Sequence, residues 1–202
     1  MSGTTHDIPL CANAALTIYT ELAKRALSPE EIMAFSKKSF LKSPCSPRLS
    51  FWLLATVLII MADQASKIWI RQRFSLGGGK QINDFLNIVH VNNPGAAFSF
   101  LANASGWQKP ALIIVGIIAV VTVFILLYRH HQQKLFAFAM TCILSGAIGN
   151  LIDRFAYGAV IDFIDFHWGR LHWPAFNIAD VAISAGAIAL IVDELRRVRS
   201  KR

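Results

Sequence analysis

PALIIVGIIAVVTVFILLY, residues 110–128, runs for nineteen residues without a charge. A helix of that length rises about 28 Å at about 1.5 Å per residue, close to the roughly 30 Å hydrocarbon core of a bilayer. A second charge-free run, Leu135–Ile152, adds eighteen residues on the far side of a short basic turn. Two further apolar stretches contain charges: Phe51–Ile70 holds Asp63 and Lys67, and Phe176–Val192 holds Asp180. The fold class that follows is an α-helical integral membrane protein with four transmembrane helices, over about residues 51–70, 110–128, 135–153 and 176–192.

Composition points the same way. Of 202 residues, 54% are hydrophobic and only 16% charged, with a mean hydropathy of +0.47, which excludes a disordered chain and is too apolar for an ordinary soluble domain. The formal charge of +8 suggests nucleic acid only where basic residues gather on a soluble face. Here they stand in patches between the apolar runs, so no nucleic-acid partner is expected. Cys11, Cys45 and Cys142 are odd in number and lack a Cys-x-x-Cys spacing, which supports neither a disulfide framework nor a zinc site.

Lys and Arg near span ends set orientation. Residues 1–50 carry six, the 129–134 connection carries Arg129 and Lys134, and the tail carries Arg196, Arg197, Arg199, Lys201 and Arg202. The opposite side holds six over much longer loops, residues 71–109 and 154–175. Both termini are therefore expected in the cytoplasm, N-in and C-in. Residues 1–50 form a polar cytoplasmic extension, in which Ser28–Glu31 could cap a short helix. The extension has no apolar core of a cleaved leader, so the first span reads as an uncleaved anchor. Residues 51–195 make the membrane domain, and 196–202 a basic cytoplasmic tail. In the outer loops, Phe85–Asn92 and Ala159–Phe166 are rich in β-branched and aromatic residues between glycine and proline turns, which predicts short strands forming a small extracytoplasmic β-sheet. Trp107, Trp168 and Trp173 fit an aromatic belt at that interface.

Most of the twelve acids lie in solvated segments; Asp63, Asp153 and Asp180 lie inside spans. An intramembrane acid costs insertion energy and is a functional candidate by default. Asp153 and Asp180 sit near the same outer end of successive antiparallel spans, each with an asparagine three residues before it, Asn150 and Asn177, on its own helix face. Two carboxyls sharing a site cannot both ionise, so one keeps a proton, as aspartic proteolysis requires. The competing readings stay open at this point. Asp153 could pair with Arg154 as an interfacial anchor while Asp180 stabilises a helix N-terminus, or the acids could carry protons in a small proton-coupled transporter. Asp63 and Lys67, at i and i+4, read as an internal ion pair with Lys67 snorkelling outward. Ala182 and Gly186 read as close-packing sites. No His-Glu-x-x-His or Gly-x-Ser-x-Gly motif is present.

Several ordered motifs carry a wider resemblance: Asp63-Gln64-Ala65-Ser66-Lys67, Asn93-Pro94-Gly95-Ala96-Ala97-Phe98-Ser99, Gly149-Asn150-Leu151-Ile152-Asp153-Arg154, Val160-Ile161-Asp162-Phe163 and Phe176-Asn177-Ile178-Ala179-Asp180. Over roughly residues 51–195 the chain resembles the lipoprotein signal peptidases, signal peptidase II. The resemblance implies an aspartic endopeptidase of the bacterial inner membrane, working near the extracytoplasmic face. Such an enzyme cuts diacylglyceryl-modified prolipoproteins before the lipidated cysteine, without metal or organic cofactor, and is inhibited by globomycin-type peptides. It implies Asp153 and Asp180 as the catalytic dyad. Asn93, Gly95, Asn150, Arg154 and Asn177 would surround the site, with Asp63 and Lys67 supporting it. Membrane lipid is the medium through which substrate arrives. The extension of about 50 residues is outside that pattern.

Overall fold

Proline has no amide hydrogen to leave unsatisfied in a first helical turn, and at Pro47 the chain enters helix α1, Pro47–Arg73. The computed structural model describes residues 47–95 and 107–200. The expectations for residues 1–46, including the capped turn at Ser28, for Ala96–Ser99 and for Lys201 and Arg202 lie outside the described residues. Helix α2 spans Gln108–His130, α3 spans Lys134–Tyr157 and α4 spans Ile178–Ser200. Helix α3 ends at Gly158, whose φ of 71° places it in the left-handed region where a side chain is unfavourable. Its N–H closes the turn on the Arg154 carbonyl at 3.1 Å.

The segments Arg48–Arg73, Lys109–His130 and Lys134–Tyr157 are long and apolar enough to cross a membrane. Helix α4 differs because Asp180 sits in its first turn and Asp193, Glu194, Arg196, Arg197 and Arg199 occupy its second half. The described residues are thus mostly helical, with three candidate membrane-spanning helices among them and a fourth long helix packed against α3 and α1.

Helix α3 contacts each of the other three helices and has the most buried face. Its seam with α4 is built from small residues, as membrane helices require when apolar lipid supplies no drive to exclude them. A Cβ at Gly146 would collide with the Ala179 carbonyl oxygen, and one at Gly186 would lie 2.7 Å from the Ala139 carbonyl oxygen. The close-packing expectation for Gly186 and the buried Ala182 therefore holds. Gly146→Ala is expected to destabilise the fold by about 1–3 kcal/mol, read as a lower midpoint of thermal unfolding in detergent; an unchanged midpoint would mean the seam can open at no cost.

The outer loops fold into one antiparallel sheet in the order β1 (Gly79–Asn83), β2 (Leu86–Asn93), β3 (Val160–Trp168), β4 (Leu171–His172). The two expected strands appear as β2 and β3 with boundaries shifted by one or two residues. Strand β1 is exposed throughout and has a single apolar side chain, Ile82, so hydrophobic pattern could not reveal it; pairing with β2 defines it. Buried Ile161 and Phe163 of β3 pack on Ile70 at the end of α1, with Phe74, Ile88, Ile164 and Ile178 around them. That small core fixes the sheet over the ends of α1 and α4.

Candidate active site

Helix α1 contributes Asp63, Gln64 and Lys67. The Lys67 Nζ lies 2.8 Å from Asp63 Oδ2 and 2.8 Å from Asp153 Oδ2 on α3, and donates to Asn150 Oδ1 at 3.3 Å. All three ionic side chains are at most 1% exposed. The expected i,i+4 pair is present, but Lys67 does not snorkel. Asp153, invisible to a pattern confined to one helix, supplies a second carboxylate that holds the ammonium inside. Gln64 Nε2 lies within donating distance of Asp63 Oδ2 (3.1 Å), Asp153 Oδ1 (3.1 Å) and the Gly149 carbonyl (3.2 Å), joining the same group.

Each of these buried acids also grips backbone. Asp63 Oδ1 accepts from the Ala179 N–H at 2.9 Å, an orphan donor in the first turn of α4. Asp153 Oδ2 accepts from the Ile161 N–H at 3.2 Å. Ala179 immediately precedes Asp180, and Ile161 immediately precedes Asp162. One ammonium thus ties together two carboxylates, each of which fixes the amide before a further acid.

Asn177 and Asp180 open α4 with a reciprocal cap. Asn177 Oδ1 accepts from the Asp180 N–H at 3.0 Å, and Asp180 Oδ2 accepts from the Asn177 N–H at 3.3 Å. The helix-terminus reading of Asp180 is therefore seen directly. The side-chain amides of the two asparagines, by contrast, donate to acids on other elements. Asn150 Nδ2 donates to Asp180 Oδ1 across the seam at 2.8 Å. Asn177 Nδ2 donates to Asp162 Oδ1 at 2.7 Å, and lies 3.2 Å from the Ile161 carbonyl and 3.3 Å from Asn150 Oδ1. The close crossing at Gly146 and Ala179 makes the neighbour across the seam nearer than the one three residues along. Nor does Arg154 pair with Asp153. Its Nη1 donates to the Asn150 carbonyl at 3.1 Å, and its buried Nε has no hydrogen-bond partner among the described residues.

Asp162, on β3, is 2% exposed. Asn93 Nδ2 donates to its Oδ2 at 3.0 Å, and Asn93 Oδ1 accepts from the Gly95 N–H at 3.0 Å. Gly95 has a φ of 97°, and a Cβ there would strike Leu112 of α2, so only glycine fits. Burial pushes the Asp162 carboxyl up to about 6, with the charge of Asp180 acting in the same direction; the hydrogen bonds from Asn93 and Asn177 and the Lys67 charge restrain the rise. Pattern reasoning placed Asp162 among ordinary loop acids. The signal that would have found it is local: an acid inside Val-Ile-Asp-Phe-Ile, a strand apolar on both sides.

The site therefore gathers all nine expected residues, Asp63, Lys67, Asn93, Gly95, Asn150, Asp153, Arg154, Asn177 and Asp180, and adds Gln64 and Asp162. Among the described residues no cluster of three or more His, Cys, Asp or Glu side chains is arranged to hold a metal ion.

Comparison with known proteins gives the family. The family model described as signal peptidase (SPase) II matches residues 55–196. The lipoprotein signal peptidase of Paraburkholderia phytofirmans is 48% identical over 167 residues, covering 83% of this chain and 97% of that protein. That of Cupriavidus taiwanensis is 53% identical over 148 residues, covering 73% and 84%. A solved structure described as a bacterial membrane enzyme, determined by the in meso method at 2.3 Å resolution, superposes with a TM-score of 0.67 at 30% identity, covering 76% of this chain and 92% of the other. A second, described in the same words at 1.9 Å, gives 0.62 at 28% identity, covering 72% and 93%. With the match running from the middle of α1 through most of α4, the chain belongs to the signal peptidase II family.

Proposed function

We propose that the protein removes signal peptides from diacylglyceryl-modified prolipoproteins, cutting before the lipidated cysteine by an aspartic mechanism on Asp162 and Asp180. The observation that carries the choice of pair is the placing of Asp162: its carboxyl is 2% exposed and takes Asn93 Nδ2 and Asn177 Nδ2, and the same Asn177 caps Asp180. Asp153, which the sequence resemblance favours as partner, has its two oxygens taken up by Lys67, Gln64 and the Ile161 amide, with no exposure. The proton-coupled transporter finds no support in the family match or the relatives.

In this reading Asp180, at the positive end of α4 and accepting from Asn150 and the Asn177 amide, draws a proton from water. Protonated Asp162 gives its hydrogen to the scissile carbonyl oxygen as water oxygen bonds to the carbonyl carbon. Collapse breaks the C–N bond, the amine leaves with a proton from Asp180, and Asp162 recovers its own. The products are a free signal peptide carboxylate and a lipidated cysteine with a free amino group. Arg154, with an unfilled Nε, and the Asn93–Gly95 turn hold substrate. Asp63, Lys67 and Asp153 hold the frame.

Helix α4, about 35 Å long, forms the fourth span, with both termini cytoplasmic and the sheet on the extracytoplasmic face of the bacterial inner membrane. Substrate enters laterally, because moving an acyl anchor out of the bilayer costs about 0.8 kcal/mol per CH₂. Globomycin-type peptides occupy the same cleft. The test is incubation of purified full-length protein with diacylated prolipoprotein, with and without globomycin; failure to cleave, or cleavage unaffected by Asp162→Asn and Asp180→Asn, would overturn the proposal. One observation favours the second pairing, Asp153 with Asp180: the two are linked through Lys67 and Asn150.

Because the folded carboxyl of Asp162 lies above its ordinary value, its protonated form is favoured, and the stability it contributes in acid is lost as pH rises through about 6. The alkaline limb of kcat/KM is expected near that value. Asn93→Ala removes a hydrogen bond to the charged form and should move the limb to higher pH. A limb that stays put or moves down would remove Asp162 from the proton-holding role.

A further inference from the structure

The β3–β4 hairpin carries an aromatic face that the proposed reaction does not use. Trp168 is 80% exposed, Leu171 79% and Trp173 69%, and with Phe85 and Phe166 they line a hollow of about 340 Å³. The face is organised. Phe85 meets Trp168 edge-on at 6.3 Å between ring centroids, and Phe166 meets Phe176 at 5.8 Å. None of the residues lining the hollow is acidic. Of the acids closest in sequence to its lining, Asp165 is occupied by Asn87 (2.9 Å) and His172 (3.0 Å) and Asp84 stands exposed in the turn before Phe85, while Arg170 stands at the β3–β4 turn.

Its covering partner is indicated by where the hairpin is rooted. Strand β3 begins three residues after α3 ends, and β4 finishes six residues before α4 begins, so both arms spring from the ends of membrane helices. The last turns of α3 present exposed Ile152, Phe155 and Tyr157. Exposed apolar side chains thus stand both on the end of α3 and on the hairpin that follows it. Tryptophan with arginine, apolar body and polar head together, is what the boundary between acyl chains and headgroups selects. A soluble surface would not carry so large an apolar patch without a partner.

We infer that the aromatic face of the β3–β4 hairpin seats on the outer leaflet of the bilayer, and that this seating sets the depth of the site. Side chains alternate along a strand, so Asp162, Phe166 and Trp168 share one face of β3. Phe166 lies four residues, about 13 Å, beyond Asp162. Lipid contact at Phe166 and Trp168 therefore holds Asp162 at a fixed height, where a peptide bond beside a bilayer-anchored cysteine emerges. The depth-setting role rests on the proposed peptidase function; the lipid contact does not.

The test uses full-length protein in phosphatidylethanolamine–phosphatidylglycerol vesicles, with Trp52, Trp69, Trp107 and Trp173 each changed to phenylalanine so that Trp168 alone reports. Phospholipids brominated near the top of the acyl chain are expected to quench most of its fluorescence, and aqueous iodide little. Quenching by iodide with none by bromolipid would overturn the inference. So would protection from both, which would mean a second copy or another protein covers the face. Separately, Trp168→Ser with Leu171→Ser should raise KM several-fold for vesicle-embedded prolipoprotein and leave kcat unchanged. Unchanged KM would overturn the depth-setting role, whereas an inactive parent enzyme would refute the peptidase reading and leave the quenching result standing.

Discussion

Asp180→Asn and Asp162→Asn are each expected to lower prolipoprotein cleavage by at least about a hundredfold, the lower bound for losing a positioned acid or base, while the protein still inserts and melts near the wild-type temperature. Asparagine keeps one acceptor oxygen, for the Asn177 amide at position 180 and for the Asn93 donor at 162, and gives up one neutral hydrogen bond at each, from Asn150 and from Asn177. Neither variant can exchange a proton. Because the two act on one proton and one water, the double variant should be little worse than either single one. The decisive comparison is Asp153→Asn. If Asp153 supports rather than reacts, that change should lower the melting temperature as well as activity, since it loosens Lys67 and the Ile161 amide. If Asp153→Asn kills activity with no change in melting while Asp162→Asn stays active, the reacting pair is Asp153 and Asp180.

Lys67→Met should be the most damaging single change to the fold itself. It removes the shared cation from between Asp63 and Asp153, leaving two buried carboxylates without a counter-charge. Breaking a buried pair in this way costs about 3–5 kcal/mol, comparable to much of the stability of a small domain. The expected result is a large fall in the unfolding midpoint in detergent and little protein recovered from membranes. Combining Lys67→Met with Asp63→Asn should recover part of the loss, because it withdraws one of the stranded charges. A Lys67→Met protein that melts like the parent would show that the carboxylates are neutral and the cation dispensable.

How much of this was legible in the chain depends on range. The spans at 110–128 and 135–152 were visible because a run of apolar residues needs no partner to be recognised. Strands β2 and β3 were visible because alternation is local. Asp180 as a helix terminus and Asp63 with Lys67 as a pair were also local facts. What the sequence hid were the contacts between elements. Lys67 turns inward because Asp153 arrives from another helix, and Asn150 serves Asp180 because two glycine-lined faces bring α3 and α4 together. Asp162 had a local signal, an acid inside a strand apolar on both sides, but what its carboxyl meets, Asn93 from β2 and Asn177 from the start of α4, was again a matter of contacts between elements.

The three-membered ionic group of Asp63, Lys67 and Asp153 couples α1 to the two segments that carry the proposed reacting acids, through the Ala179 and Ile161 amides. A disturbance that eases α1 away, whether heat, a thinner bilayer or a harsh detergent, would misplace Asp162 and Asp180 together while α2, α3 and α4 remained wound. Catalytic failure should therefore precede melting. Residual activity measured at moderate temperature would be a more sensitive gauge of membrane condition than any spectroscopic measure of helix content.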